Sequence, residues 1–424
     1  MTMYELISAH CVMVNDGSGV IVDAMSDGYS YVLTARHVLK KQNTITNYLG
    51  EAIKIIGIHE HDDANFDCAV IQVEHLSGIQ QPAWSASSIE HHSPLMVAGF
   101  PQTRRLSPEK IKQQDGKLTS ITDESFVFTA EGIPPKELIN GMSGSGVYYL
   151  YNRRAYLIGV EHSMDGDTNI EMYGRLKCVS LLRFDEIILS QKLAPMVPCF
   201  LDSFSRIKDK IFGFNVIKPD NVKKLKERLE QVADTVVAQG HLPAPYDLML
   251  KYDKTLLLAN EKPSVLQDKE LWVAYFEFVI ICALIDGVKV VDNAYLKSLE
   301  RKRRIVHSST DTHWVRELAD ILKAAKQMLD REGTIVVNSF QENAPPHPHL
   351  EHLAEVIDDI SSIPSHGDIL QIDNVNDDTY KTFTVTHLKG LRNICVVEKE
   401  WEYGKALPSE QLALFTRYYS EIIK

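Results

Sequence analysis

Three short segments hold side chains that could do chemistry together. In Leu33-Thr34-Ala35-Arg36-His37-Val38-Leu39 an apolar run ends in Thr-Ala and delivers a histidine. In Asn65-Phe66-Asp67-Cys68-Ala69-Val70-Ile71 a polar loop ends in an aspartate, and an apolar run follows at once. In Gly141-Met142-Ser143-Gly144-Ser145-Gly146-Val147 a serine sits in a glycine-rich turn between hydrophobic stretches. A serine hydroxyl is a poor nucleophile until a base takes its proton. His37 has the side chain whose ordinary pKa lies near neutrality, so it can take that proton and return it. Asp67 would fix the imidazole tautomer and stabilise the imidazolium. Glycines at 141 and 144 allow a turn tight enough to aim the N–H groups of Gly141 and Ser143 into the site as an oxyanion hole. One such donor is worth about 10²–10³ in rate. Singly, the segments read as a strand end, a loop acid and a flexible turn; together, in the order His, Asp, Ser on a β-rich chain, they point to nucleophilic catalysis.

The elements that must position these residues change character along the chain. Over the first ~190 residues, short β-type runs recur between turn residues, as expected of an all-β sandwich or barrel. They include "CVMVNDGSGVIVDA", a hairpin signal around Asp-Gly-Ser-Gly, then "YSYVLTARHVL", "DCAVIQVE", "PLMVAGFP" and "SGVYYLYNRRAYLIGVEHS". Two prolines in "LAPMVPCFLD" mark a boundary at residues 191–200. Beyond it the spacing becomes helical, in "PDNVKKLKERLEQVADTVVAQG", "KELWVAYFEFVIICALIDG" and "TDTHWVRELADILKAAKQMLDREG". The last stretch is mixed, with "TIVVNSF", "TYKTFTVTHL" and "RNICVVEKEW" reading as strands. The expected organisation is multidomain. Residues 1–192 form the all-β part, and residues 200–424 form a mainly α-helical region with some β.

Residues 1 to ~190 resemble a trypsin-like (chymotrypsin-fold) serine protease of the compact bacterial kind, through "LTARHVL", "NFDCAVI", "VAGFP" and "NGMSGSGVYYL". The resemblance implies two Greek-key β-barrels with the site between them. It also implies peptide hydrolysis through an acyl-enzyme, with His37 as base and acid, Asp67 as the orienting carboxylate and Ser143 as nucleophile. Gly141 and Ser143 would supply the oxyanion hole, and no metal or organic cofactor is implied. "LIGVEHS" resembles the strand beside bound substrate. By the family's register Glu137 would lie at the base of the primary pocket. Glu137 and Glu161 would then favour Lys or Arg at the cleaved bond, while His162 would favour acidic residues. Two departures stand out. Met142 replaces the acid that in secreted trypsins pairs with a freshly cut N-terminus. The chain also begins almost directly at the first strand. Activation by N-terminal cleavage is therefore not expected, and restraint falls to a partner or a narrow substrate range. The tail loosely resembles the C-terminal module of ABC-three-component and Lamassu-type anti-phage effectors. That implies an SMC/Rad50-like ATPase partner and a sensing or docking role for the tail. The rival from another class is a pseudoprotease or structural subunit that binds peptides or an SMC/Rad50-like ATPase partner without cutting.

Composition bounds the remaining possibilities. Lys+Arg of 45 against Asp+Glu of 57 gives a net charge of -12, which argues against bulk binding of nucleic acid. Six cysteines without a Cys-x-x-Cys pair read as free thiols. No leader pattern is visible, and the longest apolar run, Leu271 to Ile285, falls short of the ~20 residues of a membrane span. A cytoplasmic protein without membrane contact is expected. His347, His349 and His352 lie close enough in sequence to suggest zinc, but the prolines among them favour a surface loop. Lys297 and Arg301 to Arg304 read as a solvated helix end.

Overall fold

The computed structural model describes residues 2–79, 81–132, 134, 139–151, 154–165, 174–259, 261–310, 313–341, 343–361 and 380–423. It divides into two units, Met1–Cys199 and Phe200–Lys424. The first unit opens with a helix, α1 (Met3–His10), rather than directly with a strand. Thr2 and Glu5 close a capping box at its start, which accounts for it.

Six strands then form an antiparallel sheet: β1 (Cys11–Val14), β2 (Gly17–Val22), β3 (Tyr29–Thr34), β4 (Ile45–Asn47), β5 (Ile55–Glu60) and β6 (Ala69–Glu74). Their order is β4-β1-β2-β3-β6-β5. The β1–β2 hairpin turns on Asn15 and Asp16, with Val14 opposite Gly17 and Asn15 at a positive φ of 50°. Gly17 and Ser18, which the sequence suggested as turn residues, are already in β2. Val12, Val14, Ile21, Val32, Ile71 and Val73 fill the core of this sheet.

A second set of six closes into a barrel, in the order β10-β11-β12-β9-β8-β7. Its strands are β7 (Pro94–Gly99), β8 (Lys112–Ile121), β9 (Ser125–Ala130), β10 (Gly146–Tyr151), β11 (Arg154–Met164) and β12 (Arg175–Ser180), followed by α2 (Leu181–Ser190). Trp84, Val97, Phe126, Phe128, Val147 and Ile158 pack inside it. The first unit is thus the expected β-barrel-rich domain.

The second unit is mainly helical around a small parallel sheet. Its helices are α3 (Pro219–Ala238), α4 (Pro245–Tyr252), α5 (Lys269–Ile285), α6 (Asn293–Lys302), α7 (Leu318–Met328), α8 (Leu350–Ser361), α9 (Leu388–Arg392), α10 (Glu400–Lys405) and α11 (Gln411–Ser420). The sheet runs β13 (Arg303–Ser308), β14 (Thr334–Ser339), β15 (Thr384–His387). α5 is buried from Leu271 through Ala283, which explains its nearly uniform hydrophobicity. Its one acid in that stretch, Glu277, is clasped by Arg392 Nε and an Arg392 terminal nitrogen at 2.5 and 2.7 Å and by the Phe212 N–H at 2.7 Å.

Two sequence expectations are corrected here. "RNICVVEKEW" is not a strand; Asn393–Val397 continues α9 as a single π-helical turn. A short apolar run does not distinguish strand from buried helix by periodicity. The basic cluster is not simply a helix end, because Arg303 and Arg304 begin β13. Two of its charges are paired: Arg301 with Asp330 and Arg303 with Asp286, each at 2.8 Å. Arg304 donates to Thr255 at 3.3 Å. None of the six cysteines is paired with another in a disulfide. No described helix is long and apolar enough to cross a membrane.

Candidate active site

The end of β3 delivers Thr34 and Ala35, and a single 3₁₀ turn, Arg36–Val38, swings His37 off the strand. The loop before β6 brings Asp67 to meet it. Asp67 Oδ2 lies 2.6 Å from His37 Nδ1, and Asp67 Oδ1 accepts the His37 backbone N–H at 2.9 Å. This two-point grip fixes both the ring and its main chain. The loop is itself pinned, since the Arg36 guanidinium donates to the Ala64 carbonyl at 2.5 Å. The neighbouring Asp63 instead caps its own loop by accepting the Asn65 N–H. His61 faces away, with Nε2 2.9 Å from Glu186 Oε2.

Ser143 lies in the turn before β10. A Cβ placed on Gly17 would stand 2.7 Å from Val38 Cγ1 and 2.8 Å from the Ser143 carbonyl oxygen, so the residue after His37 and Ser143 flank the same glycine. β11 lies alongside. The Gly144 N–H donates to the Glu161 carbonyl at 2.8 Å, and the Glu161 N–H to the Ser145 carbonyl at 2.9 Å. The Ser143 hydroxyl donates to the His162 carbonyl at 3.3 Å; among the described residues it makes no hydrogen bond to His37. Gly144 has φ +95°, and any Cβ there would fall 1.8 Å from the Ser18 carbonyl oxygen, so only glycine fits.

Among the described residues the Gly141 and Ser143 N–H groups reach no acceptor, whereas the Met142 and Ser145 N–H groups are used by the Ile139 and Met142 carbonyls. Met142 is 1% exposed and packs into the barrel core. Hydrocarbon thus occupies the place where the family's acid would stand.

The electrostatics follow from burial and pairing. The hydrogen bond to Asp67 holds the His37 pKa above its ordinary value against the opposing effect of burial. Burial pulls Asp67 upward, but its side-chain and backbone hydrogen bonds with His37 outweigh this and keep it below the usual carboxylate range. His162 presents its ring to the same carboxylate, with Nδ1 3.8 Å from Asp67 Oδ2. Burial depresses its pKa, which Asp67 partly opposes.

Glu161 corrects an expectation. It is 2% exposed, its Oε2 has no hydrogen-bond partner among the described residues, and burial pushes its carboxyl up to about 8, with His37 opposing and Asp67 reinforcing the shift. A carboxyl that is neutral at pH 7 cannot draw a Lys or Arg side chain by charge. Glu137 lies outside the described residues. The histidines of 347–352 do not converge: His347 Nδ1 is 3.3 Å from the Val385 carbonyl, and the rings of His349 and His352 are 5.8 Å apart. Among the described residues no group of three or more His, Cys, Asp or Glu is placed to hold a metal ion. Sequence reasoning missed Ser18, which touches the Ser143 turn through both main chain and side chain. The flanking glycines, Gly17 and Gly19, were the available signal of a close approach there.

Comparison with known proteins adds two families. Residues 178–397, just over half of the chain, match the family described as C-terminal domain 4 of the ABC-three component (ABC-3C) systems. Residues 17–160 match the trypsin-like peptidase domain. Among solved structures, kallikrein-related peptidase 10 is 13% identical, with a TM-score of 0.34, over 43% of this chain and 97% of that one. The same peptidase in complex with Zn2+ is 15% identical, with a TM-score of 0.34, over 44% and 96%. No curated protein matches the chain.

Proposed function

Because the chain belongs to the family of C-terminal domain 4 of the ABC-three component systems and carries a trypsin-like peptidase domain, we propose that it is the serine endopeptidase of such a system. The observation that carries this reading is the two-point His37–Asp67 grip beside a serine held in a glycine-rich turn. Ser143 Oγ attacks the substrate carbonyl carbon while its proton passes to His37 Nε2. The developing oxyanion is met by the Gly141 and Ser143 N–H groups. His37 then gives the proton to the leaving amine as the C–N bond breaks. Water, deprotonated by the same imidazole, hydrolyses the ester and frees Ser143. No cofactor is needed. From the resting geometry the first event is rotation of the Ser143 hydroxyl away from the His162 carbonyl.

The tail, residues 200–424, would serve as the regulatory and docking region. Its partners would be other components of the system, with an SMC/Rad50-like ATPase as the leading candidate. The reaction would take place in the cytoplasm as an antiviral defence, with cleavage gated by that complex.

One observation favours the binding-only alternative, a pseudoprotease: the Ser143 hydroxyl is engaged by a main-chain carbonyl rather than by His37. Labelling of the purified chain with a serine-reactive fluorophosphonate separates the two. Labelling of the wild type that is lost in Ser143→Ala supports the protease. A wild type that stays unlabelled, alone and with the other components of its system, refutes it.

A further inference from the structure

The turn that carries the candidate oxyanion donors is anchored from outside at several points, and one buried residue, Ser18, supplies two of them. Ser18 is fully buried on β2. Its N–H donates to the Ser143 carbonyl at 2.7 Å. Its hydroxyl donates to the Gly141 carbonyl at 3.1 Å and accepts the Phe100 N–H at 2.8 Å. Its own carbonyl accepts the Thr34 hydroxyl at 2.7 Å. One residue of the first sheet therefore joins the exit of β7, the end of β3 and two carbonyls of the nucleophile turn.

A second anchor fixes the peptide plane that matters most. The Asn140 carbonyl accepts the Gln102 N–H at 2.7 Å. In a trans peptide the C=O and the following N–H point in opposite directions. Tying the Asn140 oxygen to Gln102 therefore turns the Gly141 N–H the other way, and that N–H is one of the two left without an acceptor among the described residues. The next carbonyl along, that of Gly141, is held by Ser18, so rotation of the turn would break bonds at both ends.

We propose that Ser18 and the Gln102 N–H are the positioning groups that hold the oxyanion turn in its working conformation. They take the place of any charged contact at the residue before the nucleophile. This rests on the reading of Ser143 as a nucleophile. Neither group touches the reacting atoms; both act through the carbonyls of residues 140, 141 and 143.

Two variants of the full chain test it. Ser18→Ala removes the hydroxyl without adding volume. Gln102→Pro removes the N–H, together with the side-chain amide whose Oε1 accepts Asn140 Nδ2 at 3.5 Å. Gln102 is exposed and opens a 3₁₀ turn after Pro101, whose φ of -63° and ψ of 145° tolerate a following proline. This variant keeps the test open if Ser18→Ala does not fold. Either folded variant should lower the second-order rate of fluorophosphonate labelling at Ser143 by about 10²-fold. The midpoint of the His37 imidazole titration, followed by NMR, should be unchanged. A merely structural weakening would disturb both together. A rate for Gln102→Pro within twofold of wild type overturns the proposal. If wild type does not label at all, the protease reading has failed, and hydrogen exchange decides the anchoring independently. Exchange of the Met142 to Ser145 amides at least tenfold faster in a variant supports it, and unchanged exchange there overturns it.

Discussion

Glu161→Gln isolates a strongly shifted titration beside the candidate site. The ordinary carboxyl value is 4.5, and in the fold burial raises it to about 8. The folded chain therefore holds a proton that the unfolded chain releases, and by linkage stability must fall as pH rises through that window. With those two values, the barrel is destabilised relative to a non-titrating side chain by about 1 kcal/mol at pH 5 and about 4 kcal/mol at pH 8. The loss levels off above pH 8, where both states are ionised. Glutamine has nearly the same shape and no proton to lose. The variant should gain about 3 kcal/mol on wild type between pH 5 and pH 8, whatever constant offset the amide introduces. The assay is hydrogen exchange of the β10 and β11 amides, read as opening free energies at half-unit pH steps. If the two proteins keep a constant difference across that range, Glu161 is not a buried neutral acid, and the reasoning from its burial fails.

Three further outcomes are expected. Because Asp67 raises the His37 pKa and the base must be neutral to act, the labelling rate of Ser143 should climb with pH with a midpoint above 6.5. Asp67→Asn should move that midpoint downward and cost on the order of 10⁴ in rate, measured as a pH–rate profile. Gly144→Ala forces a Cβ against the Ser18 carbonyl at positive φ. It should abolish labelling and destabilise the barrel by about 2–4 kcal/mol, measured by denaturant titration. Glu277→Gln leaves Arg392 without its counter-charge in a buried setting. It should cost the second unit about 3–5 kcal/mol, read from exchange of the α5 amides.

The His, Asp and Ser positions were legible because each stands where a chemistry-bearing residue meets a change of local structure. "LTARH" is a strand that stops, and "NFDCAVI" is a loop that becomes a strand. The side chains that tune them were less legible. Nothing in "GVEHS" distinguishes a glutamate facing substrate from one turned inward. The strand is also irregular just beyond it, where the pairing of β11 with β12 shifts register between Glu161 and Ser163. A one-residue slip exchanges the two faces of a strand. Ser18 was hidden for a different reason. Apart from Thr34, its side-chain and turn partners are Phe100, Gly141 and Ser143, 82 residues or more away, and no local pattern encodes them. In the tail, β13 escaped notice because "RKRRIVHS" opens with charges. Arg303 is nonetheless buried by pairing with Asp286, so polarity there did not mean exposure.

The long reach of Ser18 to Gly141, 123 residues apart in sequence, has a consequence for the chain as it is being made. The His37–Asp67 pair can form early, since only 30 residues separate its members. The turn that completes the site must wait for β10 and β11. At about 5–20 residues per second, Ser143 is synthesised roughly 5–20 s after His37. No shorter nascent chain has the candidate nucleophile. Once residue 199 is made, however, the whole of the first unit exists about 10–45 s before residue 424 is added. If the tail is what restrains cleavage, the ribosome must carry an unrestrained protease for that interval. A restraint already present in the head, such as the Ser143 hydroxyl turned to the His162 carbonyl, would close that window before the tail exists.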